Sequence, residues 1–221
     1  MISIQNTDFI NDIKAQYYNI IPNKLLLSLK KCFTKKECKT LIKISEDIGY
    51  KKASLYTDSG GKEHFYEDYR KSERCIIDDE KYAKILEKRI YDYIPKVYAN
   101  KRYDSINPRF RFLKYENQGC FSRHRDSNYQ TDSTISSITI LIYLNSDYEG
   151  GYTKFFSNPT DNVEYTLNPK SGMVCLMDQD IGHEVPFLTS GVKYVVRTEL
   201  MYKKEIINET TDNNNIKIIK L

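Results

Sequence analysis

Tryptophan is missing from this 221-residue chain, and histidine occurs only three times. The missing tryptophan leaves no shortage of core-forming aromatics, because 19 Tyr and 9 Phe remain. The scarcity of histidine confines any imidazole chemistry to His64, His124 and His183. No apolar run is long enough to span a bilayer. The opening MISIQNTDFINDIK contains no apolar h-region and the closing IIKL is not a retention signal, so a cytoplasmic protein without membrane contact is expected. The five cysteines (Cys32, Cys38, Cys75, Cys120 and Cys175) are scattered and odd in number, so they read as reduced thiols rather than a disulfide framework. A dense basic stripe is also absent: the formal net charge is +4 with lysines spread along the chain, which argues against a nucleic-acid partner. No internal repeat is present.

What is there suits a globular protein. Hydrophobic residues make up 40% and charged residues 29% of the chain, ordinary values for one domain with an extension. Residues 1–23 are polar and read as a surface extension. Residues 24–106 read as helical support and a lid region, starting with a strand in 24–32. Thr34 and Glu37 form a capping box ahead of a helix whose apolar residues are Leu41, Ile42 and Ile44 and which Gly49 ends. Residues 50–74, with Gly60 and Gly61, read as a loop flanked by short strands. The run Asp78-Asp79-Glu80 starts a second helix carrying Tyr82, Ile85, Leu86, Ile90 and Tyr93 at helical spacing. From Asn107 to Tyr202 the pattern is short strands separated by turns: RFRFLKY, SSITILIYLN, YTKFF, VEYTLN, MVCLM and KYVVRTELMY. Strands without intervening helices imply a sandwich or jelly roll. Residues 203–221 read as a flexible tail.

The stretch SRHRDSN, residues 122–128, holds His124 and Asp126 one residue apart. On a strand, positions i and i+2 face the same way, so the two side chains would point together. His183 follows MVCLM, and a jelly roll can bring it alongside. Two imidazoles and a carboxylate on one face of an octahedron suit non-heme Fe(II) and leave positions open for co-substrate and O2. A His-x-Asp pair alone carries little weight, and a solvated charge cluster is the competing reading. His64 reads as a surface residue.

The surrounding pattern adds the weight. Tyr115, Gly119, Phe121 and His124-x-Asp126 are followed by Tyr143-Leu144-Asn145, by EGGYTKF (149–155), by NPKSGMVCLM, by His183 and by GVKYVVRTELMY. In that order these elements resemble the 2-oxoglutarate/Fe(II)-dependent dioxygenases, in particular the prolyl 4-hydroxylase-like branch. The resemblance covers residues 107–202 and, more loosely, the helix KKECKTLIKISEDIGY. It implies a mainly β (α+β) fold, a double-stranded β-helix or jelly-roll core with N-terminal supporting helices. It implies Fe(II), 2-oxoglutarate and O2 as cofactors, with ascorbate as reductant. His124, Asp126 and His183 would be the metal ligands, with no catalytic side chain beyond them. Lys193, ten residues after His183, would anchor the far carboxylate of 2-oxoglutarate. Arg197 faces the same way and is the alternative anchor, or else forms a salt bridge with Glu199 or Asp178. Tyr115, Tyr143 and Thr153 would complete the co-substrate site, although buried tyrosines are also ordinary core residues. A carboxylate at Asp126 implies hydroxylation, since related halogenases carry a small residue there.

Substrate residues are less defined. Arg111 shares the parity of Tyr115 and with Arg74, Arg109 and Arg125 would form a basic rim, while Arg123 reads as part of a solvated charged edge; Arg74, Arg111 and Arg125 are the candidates for substrate contact. The expected substrate is a peptide or protein, with proline the first choice by family analogy. A small metabolite, a free amino acid or a modified nucleobase is the alternative, and a non-catalytic jelly-roll binding module is the third. Nothing in the sequence sets the oligomeric state.

Overall fold

Alternating burial along strands such as Arg109–Tyr115 gives a sheet two unlike faces, and the computed structural model builds two main antiparallel sheets with two short two-stranded ones beside them. It describes residues 13–57, 60–157 and 165–206. The principal elements are β1 (Lys14–Tyr17), β2 (Leu26–Lys30), α1 (Lys35–Ile48), β3 (Glu73–Asp78), α2 (Glu80–Ile90), β4 (Lys101–Ile106), β5 (Arg109–Tyr115), β6 (Cys120–His124), β7 (Thr134–Tyr143), β8 (Thr153–Phe156), β9 (Tyr165–Leu167), β10 (Met173–Asp178), β11 (Gly182–Val185) and β12 (Lys193–Ile206). The large sheet runs β1-β2-β10-β7-β12-β5-β3, with Lys51–Lys52 at its far edge and β4 paired to the end of β12. The small sheet runs β9-β8-β11-β6 and ends on Arg70–Lys71. This is the mainly β jelly roll with supporting helices that the sequence pattern implied.

Period two sorts the side chains of the large sheet. Phe110 and Phe112 of β5, Ile138, Ile140 and Ile142 of β7, Val174 and Leu176 of β10, and Val196 and Leu200 of β12 form one buried cluster with Leu41 of α1 and Leu86 and Ile90 of α2. A fully buried side chain of this kind contributes roughly 1.5–3 kcal/mol. This helix-covered layer therefore stabilises a sheet whose other face carries polar groups. That inner face presents Arg111, Leu113 and Tyr115 of β5, Leu141 and Tyr143 of β7, and Lys193, Val195, Arg197 and Glu199 of β12 to one cavity.

The helices form for local reasons. Thr34 and Glu37 make the expected capping box, and Asp79 accepts from the Tyr82 amide to cap α2. Arg89 of α2 donates to Glu37 at 2.9 Å and to the Cys32 carbonyl at 3.0 Å, and lies over the Phe33 ring, which ties the two helices together.

The structure departs from the sequence reading in several places. Residues 73–78 form β3 in the large sheet, and Arg70–Lys71 pairs with Cys120–Phe121, so the 50–74 segment is partly cavity wall rather than loop. Residues 14–17 and 101–106 are strands the pattern did not mark. Strand β12 continues to Ile206, so the tail does not begin at 203, and residues 207–221 lie outside the described residues. A bulge between Ser136 and Ile138 shifts β7, and the Ser136 hydroxyl donates to the Gln179 side chain at 3.0 Å.

Gly172 locks the two layers. Its amide donates to the Tyr143 carbonyl at 2.8 Å, and its carbonyl accepts from the Phe33 amide at 3.0 Å. Its φ is +82°, and a Cβ there would sit 2.0 Å from the Phe33 carbonyl oxygen. The Gly172→Ala variant should lose more than about 2 kcal/mol of unfolding free energy, because a left-handed non-glycine residue alone costs about 1–2 kcal/mol. Urea denaturation followed by tyrosine fluorescence measures it, and a loss within about 0.5 kcal/mol would contradict this account of the lock.

Candidate active site and metal centre

Strands β6 and β11 pair antiparallel, with His124 directly opposite His183. Their rings lie 4.2 Å apart between centroids. Each Nδ1 lies on a main-chain carbonyl two residues back: Ser122 at 2.7 Å for His124 and Ile181 at 3.1 Å for His183. With Nδ1 donating, each Nε2 is left with a free lone pair.

Asp126 completes the group by a different route from the one expected. Strand β6 ends at His124, so i/i+2 alternation does not orient Asp126. Its amide donates to the Gln179 carbonyl at 3.1 Å, and Thr139 donates its hydroxyl to Oδ2 at 2.6 Å. Arg197 Nη2 lies 3.2 Å from Oδ1, and His183 Nε2 lies 4.0 Å from Oδ2. One donor atom from each of His124, Asp126 and His183 falls within 4.8 Å of the others. Two neutral imidazoles and one carboxylate are the donor set of a facial Fe(II) site.

The electrostatics keep the donors deprotonated. Burial, with His183 alongside, pushes the His124 imidazole down to about 3. Burial likewise lowers His183. Burial works against the Asp126 charge, but Arg197, both imidazoles and the Thr139 hydroxyl outweigh it and hold the carboxyl well below its usual range. A metal binds this state without first displacing protons.

The other end of the cavity is a buried cation that pairs with no acid among the described residues. Lys193 is 1% exposed. Its Nζ donates to the Gly151 carbonyl at 2.5 Å and is ringed by Tyr115, Tyr143 and Tyr148 at 5.5, 5.7 and 5.9 Å from their centroids. Burial pushes its ammonium down to about 7. Tyr143 and Thr153 share a hydroxyl hydrogen bond of 2.9 Å. The buried Tyr148 hydroxyl has no partner among the described residues.

The residues assigned from the sequence to metal, co-substrate and substrate line one cavity of about 520 Å³: His124, Asp126 and His183; Lys193, Tyr115, Tyr143, Thr153 and Arg197; and Arg74, Arg111 and Arg125. Within it Arg197 bridges Asp126 and Glu199, while Glu199 also takes Arg111 at 2.9 Å and Asn107 at 2.8 Å. Asp178, the other acid considered for Arg197, instead meets Lys24 and Tyr98. Arg109 pairs with Asp78 away from the cavity, Arg123 lies over the Phe156 ring, and His64 stacks on Tyr56. The sequence reading missed Thr139 and Gln179 as supports of Asp126, Tyr148 beside Lys193, and Arg70. Only Thr139 carried a signal, as it shares strand parity with Tyr143.

Residues 110–198 match the family model of the 2OG-Fe(II) oxygenase superfamily. The matched stretch contains His124, Asp126, His183 and Lys193. Among solved structures, a prolyl hydroxylase from Trichoplax adhaerens, in complex with a peptide fragment of the hypoxia inducible factor oxygen degradation domain, superposes with a TM-score of 0.61 at 14% identity, covering 79% of this chain and 82% of that one. The viral collagen prolyl hydroxylase of Paramecium bursaria Chlorella virus-1, in its 2OG complex, gives 0.58 at 16% identity over 80% and 95% of the two chains. A prolyl-4-hydroxylase from Pseudomonas putida gives 0.56 at 14% over 79% and 91%. At these identities the likeness shows a shared fold, in agreement with the prolyl 4-hydroxylase-like branch that the motifs resemble. No match was found among curated proteins. The family implies Fe(II), 2-oxoglutarate and O2, and the His-Asp-His set fits the metal.

If the Thr139 hydroxyl orients Asp126 as a ligand, Thr139→Val should weaken Mn(II) binding by about 10–100-fold, and His183→Ala by at least as much. Mn(II) titration followed by electron paramagnetic resonance reads both, and unchanged affinity in His183→Ala would remove the metal from this site.

Proposed function

We propose that this oxygenase core hydroxylates an unactivated C–H of a peptide or protein substrate, with a prolyl residue as the first candidate. The observation carrying the reading is the pairing, across one cavity, of the His124, Asp126 and His183 donor set with Lys193, a buried cation that has no carboxylate of its own. Bound Fe(II) with 2-oxoglutarate would supply the O2-activating chemistry that releases succinate and CO2 and leaves one oxygen on the substrate carbon.

The chain's own residues do the rest. His124, Asp126 and His183 would hold the metal, the imidazoles offering Nε2 and the aspartate a carboxylate oxygen. Lys193 receives the far carboxylate of the oxo acid, an arrangement that relieves an otherwise uncompensated buried charge. Tyr115 and the hydrogen-bonded pair of Tyr143 and Thr153 flank that carboxylate. Leu113, Leu141, Val185 and Val195 form apolar walls that exclude water. Ascorbate serves as external reductant.

Two experiments test this. Wild type with Fe(II), 2-oxoglutarate and ascorbate under air should form succinate. His124→Ala should not, and proline-containing peptides should stimulate turnover and gain one oxygen by mass spectrometry. No succinate together with no metal-dependent 2-oxoglutarate binding would end the oxygenase reading. The second uses Lys193. Its ammonium titrates near 7 in the fold, against 10.5 ordinarily. Below that window folded and unfolded chains both carry the proton, and within it only the unfolded chain does. Stability of the metal-free protein should therefore climb as pH rises through the window. Lys193→Met should melt higher than wild type near neutral pH, yet lose 2-oxoglutarate affinity by about 100-fold or more. A lower melting point with intact affinity would contradict both roles.

A further inference from the structure

The mouth of the cavity holds more positive charge than the site itself consumes. Arg70, Arg74, Arg111, Arg125 and Arg197 all line it, and the charge of Arg125 also acts on Asp180, which is outside the lining. The carboxylates lining it are Asp126 and Glu199. Glu199 is shared by Arg111 and Arg197, at 2.9 and 3.2 Å. Asp126, now paired with Arg197, is the metal's ligand in the proposed reading, and Lys193 is matched there by the oxo acid. Arg70 and Arg74 are left over. Arg70 donates from Nε to the Ser72 hydroxyl and from Nη1 to the Ser54 carbonyl, at 3.1 and 3.2 Å, and meets no carboxylate among the described residues. Arg74 donates to the Ser54 hydroxyl at 3.3 Å and has only Glu63, a half-exposed acid, at 3.8 Å.

The placement of Arg70 is specific. Its guanidinium lies 4.5 Å from the Phe121 ring centre, and that ring stacks on His124 at 3.5 Å. One aromatic layer therefore separates a partly paired guanidinium from a metal-site imidazole. Burial lowers the Arg70 pKa, and the charges of Arg74 and Arg197 push the same way, while Tyr115 and Asp126 oppose the shift without reversing it. The buried Arg197 Nε also has no partner among the described residues. A guanidinium fork is built to take a carboxylate through two parallel hydrogen bonds.

We propose that the substrate carries a carboxylate next to the reacting carbon, the side chain of an Asp or Glu adjoining the hydroxylated residue, and that Arg70 and Arg74 hold it. This rests on the peptidyl-hydroxylase reading above. Consecutive Cα atoms lie about 3.8 Å apart, so an adjoining acidic side chain can reach these arginines while its neighbour faces the triad. The acid supplies the negative charge the mouth lacks, and a neutral flank leaves the guanidiniums uncompensated.

The test uses the full chain loaded with Mn(II) and N-oxalylglycine, which occupy the site without turnover. Fluorescein-labelled Ala-Glu-Pro-Glu-Ala and Ala-Gln-Pro-Gln-Ala are compared by fluorescence anisotropy. The acidic peptide should bind about tenfold tighter or more. Arg74→Gln and Arg70→Gln should each cut that preference to about threefold or less, while Arg70→Lys, which keeps the charge but loses the two-pronged fork, should fall between Arg70→Gln and wild type. If Arg70→Gln fails to fold, Arg74→Gln decides alone. Equal binding of the two peptides, no binding by either, or a preference untouched by the variants would overturn the inference. Succinate formation by wild type separates the two failures. Equal binding in a protein that makes succinate removes the acidic-substrate inference only. Absence of succinate and of Mn(II) binding removes the oxygenase reading, and an arginine-dependent acid preference would still support the carboxylate site.

Discussion

Antiparallel pairing of two short strands puts His124 opposite His183, and the site depends on that register. Side chains alternate along a strand, so a slip of one residue would turn an imidazole out of the cavity. The third donor is fixed separately, because Asp126 lies beyond the strand and is held by the Gln179 carbonyl and the Thr139 hydroxyl. Two elements of the large sheet thus reach across to the small one, and the donors meet only when the two sheets face each other correctly. The bulge in β7 belongs to the same arrangement, since it turns Ser136 toward Gln179, whose backbone holds Asp126.

The large sheet divides its labour by face. One face buries aliphatic and aromatic residues against α1 and α2. The other gathers a lysine, two arginines and a glutamate, groups whose desolvation works against folding. Local consistency is broken where chemistry is performed, and the helix-covered layer offsets the cost. Arg197 compensates two buried carboxylates at once. Its guanidinium neutralises Asp126 and Glu199 together, so neither carboxylate is buried alone.

Much of this was legible in the sequence because β alternation is rigid. Lys193, Val195 and Arg197, or Arg111 and Tyr115, share a face by counting in twos, and the cavity receives them on that face. The capping box at Thr34 was legible for an equally local reason. Other features have no local signature. Asp126 was placed on the right side by a strand argument that does not apply to it, and its actual supports come from residues 139 and 179. Arg70 gains its position by an edge pairing with β6, a long-range contact no nearby pattern encodes. Strand β4, reading KRYDSI, carries too little apolar alternation to declare itself; its partner β12 makes it a strand.

Lys193, Arg197 and Glu199 ride on one continuous strand, and this has a consequence for chemical selectivity. A strand advances about 3.3 Å per residue, so the ammonium at one end and the guanidinium near the triad are mounted on a caliper whose jaws cannot move independently. A flexible loop could adjust to diacids of different length; a hydrogen-bonded strand with neighbours on both sides cannot. In the proposed reading, discrimination between short and long oxo acids would follow from backbone pitch rather than from side-chain shape. Side-chain substitutions would tune how firmly an acid is held far more readily than they would change which chain length fits.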